Sequence, residues 1–217
     1  MMPEQLAWSQ ACENNKGPIL EVLRRWLPAT GDVLEIGAGT GQHAIFFAQQ
    51  LPGIRWQPTD RPGTLDTVAA RVRLAGLANL APPEPLDLHR WSREALGPVD
   101  AVFSANTAHI VDWAGVQALF AGVAGVLRPG GVFLLYGPFA YGGQHTAPSN
   151  ARFHQTLRAQ DPASGIRDVD DLRRLGEARG LILAEDVAMP ANNRTLVWQL
   201  GQSRAGDTAA RSTRLSR

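Results

Sequence analysis

One stretch, Val33-Leu34-Glu35-Ile36-Gly37-Ala38-Gly39-Thr40-Gly41, constrains this chain more than any other. An apolar, β-branched run ends in glycines at alternate positions, and Gln42 to Leu51 then carries apolar residues at helical spacing. The pattern predicts a strand, a tight turn and a helix. Glycine suits the turn because a missing Cβ admits φ values that other residues resist, and lets a ligand approach the main chain. The spacing is G-x-G-x-G, unlike the G-x-G-x-x-G of dinucleotide-binding turns. In those turns a helix N-terminus faces a pyrophosphate, and the carboxylate waits at the end of the following strand. Here Glu35 lies two residues before the first glycine. A carboxylate there disfavours a pyrophosphate and suits a cationic or zwitterionic ligand, which argues against a nicotinamide-dependent oxidoreductase.

A chain of 217 residues fits one domain and can bury about 70% of its unfolded surface. The formal net charge of +1 lacks the basic excess of a nucleic-acid binder, so such a partner is not expected. Cys12 is the only cysteine, which rules out an internal disulfide and a cysteine-rich metal site. No run approaches the length of a membrane span, and the N-terminal stretch lacks the apolar core of a signal peptide. A cytoplasmic location follows as the expectation. His43, His89, His145 and His154 lack metal-ligand spacing with acidic partners, so no metal is expected.

Taken in order, the segment around Ser9 to Lys16 is polar, and a helix is expected over residues 19–27 with Pro18 at its start. The first eighteen residues could cap the fold or form a lid. Residues 54–60 read as a second strand with Asp60 at its end, and Leu65, Val68, Ala69 and Val72 as the next helix. Pro85-Leu86-Asp87-Leu88 is a short apolar segment carrying an acid. A buried strand of the parallel kind runs from Val99 to Asn106, with Asn106-Thr107-Ala108-His109 at its mouth. A helix from Trp113 to Leu127, stopped by Arg128-Pro129-Gly130-Gly131, leads to a strand from Val132 to Tyr136. Residues 137–167 break the alternation as a long polar and aromatic insertion of the functional-loop kind. A helix after Asp168, a strand from Leu181, a turn at Met189-Pro190-Ala191-Asn192-Asn193 and a strand to Leu200 close the domain, and residues 201–217 read as a disordered tail.

Glu35-x-Gly37-x-Gly39-x-Gly41 resembles the motif of class I methyltransferases. The order of strands and helices resembles the same group. Ser9 to Leu20, Glu35 to Gly41, Asn106 to Trp113, Tyr136 to Asp168 with its Tyr136-Gly137-Pro138-Phe139 start, and Met189 to Asn193 are more narrowly similar to the methyltransferase-like protein 26 family, a domain of unknown function. The similarity covers roughly residues 8–200. Departures from that family's pattern are Asn14, Val111-Asp112, His154 and Ser164. The resemblance implies a Rossmann-like α/β fold in a single domain over residues 1–200. It would hold a mostly parallel seven-stranded sheet, a C-terminal antiparallel hairpin and helices on both faces, with residues 137–167 over the acceptor site.

It also implies S-adenosylmethionine as cofactor and S-adenosylhomocysteine as product. Glu35, Gly37, Ala38, Gly39, Thr40 and Gly41 would form its cradle, Asp60 with Arg61 would take the ribose, and Asp87 with Leu88 the adenine. Asn106 and Asn15 complete that set. Methyl transfer from a sulfonium is an in-line displacement for which alignment and exclusion of water suffice, so a base is optional. His109 is the candidate base, since it follows the strand mouth and titrates near neutrality. Trp113, Tyr136, Ser149, Asn150, Arg167, Asp168, Asn192 and Asn193 are acceptor-pocket candidates. The Asn/Asp-Pro-Pro-aromatic motif of enzymes that methylate base amino groups is absent from Ala105-Asn106-Thr107-Ala108. A small-molecule acceptor is therefore the leading expectation. A non-catalytic cofactor-binding module, or a protein or RNA acceptor, stands as the alternative.

Overall fold

A computed structural model describes residues 7–91 and 96–202. The tail expected over residues 201–217 lies, from residue 203 onward, outside the described residues. So do the first six residues of the N-terminal segment.

Ser9 caps helix α1 (Gln10–Trp26), its hydroxyl accepting the Cys12 N–H. The chain then alternates through β1 (Gly31–Ile36), α2 (Gln42–Gln50), β2 (Ile54–Asp60), α3 (Leu65–Ala75), the two-residue β3 (Glu84–Pro85), β4 (Val99–Ala105), α4 (Trp113–Val126) and β5 (Leu127–Gly137). The insertion supplies β6 (Phe139–Tyr141), β7 (Gln144–His145), α5 (Pro148–Gln160) and β8 (Arg167–Asp168). After it come α6 (Val169–Glu177), β9 (Leu181–Met189) and β10 (Asn193–Leu200).

Seven strands form one sheet in the order β3-β2-β1-β4-β5-β10-β9. The first five are mutually parallel, and β10 runs antiparallel to both neighbours. Period-two alternation sorts the side chains onto two faces. Val33, Ala101, Phe103, Leu134 and Val197 pack under α1, α2 and α3. Leu34, Val102, Phe133, Leu135 and Trp198 pack under α4 and α6. Each face buries large aromatics, Trp56 and Phe47 on one and Phe120 with Trp198 on the other, so both layers are sealed. The expected seven-stranded, mostly parallel architecture with a terminal antiparallel pair is what the chain builds.

Three local expectations need correcting. The polar segment before Pro18 is helical, so Pro18 lies inside α1 rather than at its start. The serine cap and burial of Asn15, Ile19, Leu20, Val22 and Leu23 outweigh the one backbone bond that proline removes. Helix α4 ends at Val126, and Arg128-Pro129-Gly130-Gly131 forms an irregularity inside β5, between Leu127 opposite Val99 and Val132 opposite Ala101. Arg128 anchors it through Asp100 at 2.7 Å and Asp32 at 3.3 Å. The insertion, expected as loop, contains a second small sheet in the order β7-β6-β8 and the helix α5.

Candidate active site

The strand order reverses between β1 and β4, and the glycine turn lies at the carboxyl ends of those strands. That is where open α/β sheets leave a ligand crevice. All three glycines take left-handed φ values, +77° at Gly37, +56° at Gly39 and +76° at Gly41. The N–H groups of Gly37 and Ala38 both donate to the Thr59 carbonyl, at 3.0 and 2.9 Å, tying the turn to β2. A Cβ on Gly37 would come within 2.6 Å of Thr107 Oγ1, so this glycine lets the β4 mouth close against the turn. At Gly39 a Cβ would meet nothing nearer than a carbonyl at 4.0 Å. Its face opens into the crevice.

Glu35 is buried, and its Oε2 accepts the Trp56 indole N–H at 2.7 Å. Burial pushes its pKa up to about 7, the indole bond opposes the rise, and Asp60 adds to it. A cation placed in the crevice would favour the carboxylate. Asp60 ends β2 beside the turn, with Oδ2 accepting the Gly39 N–H at 2.6 Å and Oδ1 accepting from the Arg61 N–H and Thr64 Oγ1. Arg61 is exposed and joins the arrangement through its main chain, its N–H donating to Asp60 and its carbonyl accepting from the Thr64 N–H and hydroxyl. The Thr40 hydroxyl donates to Gln42 Oε1 at 2.9 Å. Asp87, expected at the adenine, caps a 3-10 turn, Oδ1 accepting the His89 N–H at 3.0 Å, with half-buried Leu88 beside it.

The first turns of α1 close one side of the crevice. Gln42 Oε1 accepts the Ser9 N–H at 2.7 Å, and its amide donates to Glu13 at 2.8 Å. Asn15 is buried, with its Oδ1 2.7 Å from His43 Nε2. An amide oxygen only accepts, so that ring nitrogen carries the proton. Burial lowers the His43 pKa to about 4 and keeps the ring neutral. Tyr136, at the end of β5, is buried too, and burial raises its pKa against hydrogen bonding from Asn15 and Asn193.

Farther along the carboxyl edge lies a cavity of about 370 Å³, lined by Asn106, Pro138, Ser149, Asn150, Phe153, Ala191, Asn192 and Asn193. Five of the residues expected at the cofactor or acceptor thus converge on one space. Phe153, Pro138 and Ala191 were missed. Phe153 sits among polar residues on α5, a weakly amphipathic helix, and its exposed ring gave no periodic signal.

His109 does not line this cavity. It is buried behind it, its ring edge-on to Phe153 at 5.4 Å between centroids and facing Gly137. Burial, aided by the Arg167 charge, lowers its pKa to about 4, far below the value expected of a base working near neutrality. Trp113, Arg167 and Asp168 also fall elsewhere, in a separate cleft with His145 and His154. Arg167 is committed to the main chain, donating to the carbonyls of Ala108 at 2.9 Å, Val111, and Ala163 at 2.9 Å. Asp168 caps α6 through the Asp170 N–H and holds the Gly143 N–H at 2.6 Å. The pair braces the insertion against the β4 mouth. Among the described residues no group of three or more His, Cys, Asp or Glu side chains could hold a metal ion. No helix among them is long and apolar enough to cross a membrane.

The sequence model of a family described as "Protein of unknown function (DUF938)" matches residues 6–200. The chain belongs to this family. Solved structures supply the fold's relatives. An O-methyltransferase family protein from Burkholderia thailandensis superimposes with a TM-score of 0.74 at 18% identity, over 87% of this chain and 57% of that one. Mitomycin 7-O-methyltransferase gives 0.75 at 16%, over 88% and 54%. A methyltransferase in calicheamicin biosynthesis, in its SAH-bound form, gives 0.67 at 17%, over 86% and 54%. The DUF938 chain spans little more than half the length of these proteins. Its fold is the Rossmann-like methyltransferase fold.

Proposed function

We propose that the chain is an S-adenosylmethionine-dependent methyltransferase acting on a small molecule. The observation that carries this reading is the open left-handed turn at Gly39, with the Asp60 carboxylate on its N–H and the Glu35 carboxylate buried beneath it. A glycine face without Cβ atoms fits a nucleoside, Asp60 offers acceptors for ribose hydroxyls, and Glu35 favours a positively charged ligand. The cofactor would supply a methyl group on a sulfonium, ready for displacement. Glu35, Gly37, Ala38, Gly39, Thr40 and Gly41, with Asn15 and Asn106, would hold it, Asp60 and Arg61 at the ribose and Asp87 with Leu88 at the adenine. The protein's own part is to align the acceptor and exclude water, work that can supply much of such a rate enhancement. His109, neutral and behind the cavity wall, holds that wall in place, and proton removal falls to solvent.

Kinship with the methyltransferase-like protein 26 family belongs to the same reading, supported by the Tyr136 to Phe139 and Met189 to Asn193 segments. Residues 7–18, the described part of the first eighteen, would cover the crevice, a reading the Ser9 to Gln42 bonds support, and residues 137–167 would cover the acceptor. The lone Cys12 suits a cytoplasmic location. Calorimetric titration with S-adenosylmethionine, S-adenosylhomocysteine and NAD tests the proposal. Binding of the first two without NAD is the expected result, followed by S-adenosylhomocysteine release on acceptor screening. Binding without release for any acceptor would identify a cofactor-binding module, and tight NAD binding would overturn the assignment.

A further inference from the structure

The cavity of about 370 Å³ between β4, α5 and the β9–β10 connection has a chemistry narrower than its size. None of its eight lining residues carries a charge. Arg167, expected at the acceptor, stands in the other cleft and spends its donors on the carbonyls of Ala108, Val111 and Ala163. A carboxylate or phosphate entering the cavity would therefore lose hydration with no counter-charge among the residues that line it. The polar lining is directional. Asn150 is buried and spends both amide hydrogens, on Thr146 Oγ1 at 2.9 Å and on the Asn192 carbonyl at 3.0 Å, so only its Oδ1 is left to meet a ligand. Asn192 donates to Ser149 Oγ at 3.3 Å, and Asn193 to the Pro190 carbonyl at 3.3 Å. The apolar walls are Phe153 and Pro138.

The backbone marks the same place independently. Among the described residues, the non-glycine positions with left-handed φ are Asn106 at +56°, Ala191 at +56° and Asn192 at +58°, and all three line this cavity. Strain of this kind persists where surrounding structure enforces it, and it gathers at ligand sites.

We propose that this cavity takes an uncharged hydroxyaromatic acceptor, its hydroxyl donating to Asn150 Oδ1 and its ring lying against Phe153 and Pro138. The inference rests on the methyltransferase reading for the word acceptor, and on the cavity alone for the ligand class. The volume, at the small end for ligand pockets, limits the acceptor to a compact molecule.

The test titrates the full chain with catechol and with its carboxylated counterpart, 3,4-dihydroxybenzoate, each with and without saturating S-adenosylhomocysteine. Ligand-observed NMR gives the affinities. Catechol should bind at least tenfold more tightly than the carboxylate, and Phe153→Ala should weaken it at least fivefold. Phe153 is 41% exposed, so that variant keeps its fold, which circular dichroism checks. Ser149→Ala should weaken catechol about twofold and serves if Phe153→Ala melts early. Equal or reversed ranking, catechol binding indifferent to both variants, or no catechol binding at millimolar concentration would each overturn the inference. Failure of S-adenosylhomocysteine to bind would count against the methyltransferase reading alone, because the catechol ranking is read without it.

Discussion

Gly39 decides whether the crevice can be occupied. Its φ of +56° already penalises any L residue, by roughly 1–2 kcal/mol, and its face looks into open space. Gly39→Arg should therefore leave a folded protein and fill the crevice, lowering S-adenosylhomocysteine affinity more than a hundredfold in calorimetry with a small drop in melting temperature. Unchanged affinity would remove the turn from the site. Gly37 fails differently, since a Cβ there would collide with Thr107 Oγ1 at 2.6 Å and disturb the join between β1 and β4. Both glycines were legible in the sequence because their spacing is local. The Trp56 indole that holds Glu35 was not. It reads as an ordinary strand residue until parallel pairing places β2 beside β1 and brings the two side chains onto one face.

At the scale of elements, the connection between β9 and β10 stores strain that the sequence announced only as a turn. Ala191 sits at φ +56° where glycine would cost less. Ala191→Gly should raise stability by up to about 1 kcal/mol, seen as a higher urea midpoint at unchanged slope. A lower midpoint would mean that the Ala191 methyl packs usefully against the cavity. Helix α1 shows the opposite relation between signal and outcome. Pro18 read as a local helix start, yet the Ser9 cap and a buried stripe from Asn15 to Leu23 run the helix through it from Gln10. In the insertion, β6, β7 and β8 are two or three residues long, too short for any periodic pattern. They exist because their partners are presented to them by the larger fold.

Among the described residues, the buried Glu35, His43 and His109 have effects on acid stability that oppose one another. His43 and His109, held at about 4, add stability that is complete above their unfolded value of about 6.5 and lost as pH falls toward 4. Glu35, raised to about 7 from 4.5, adds stability that is complete below 4.5 and lost as pH rises through 7. Each shift corresponds to roughly 3 kcal/mol. Two histidines outweigh one glutamate, so stability should climb from pH 4 to a plateau near neutrality, by roughly 3 kcal/mol from these groups. Glu35→Gln removes the compensating term, and its acid limb should be about twice as steep in urea denaturation repeated across pH. An identical limb would mean that Glu35 is ionised throughout.

Local spacing by itself determined the alternation of strands and helices, the glycine turn, the acids at Glu35 and Asp60, and hence the fold and its crevice. These are properties of contiguous residues, because a strand, a turn and a helix are each specified within about ten positions. Only the tertiary structure decided which of the other polar residues meet. Asn106, Ser149, Asn150, Asn192 and Asn193 share one cavity, while Trp113, Arg167 and Asp168 stand in another cleft and His109 lies behind the wall. Such assignments depend on hydrogen bonds and burial between segments far apart in the chain, such as the 59 residues between Arg167 and Ala108. No local pattern encodes them.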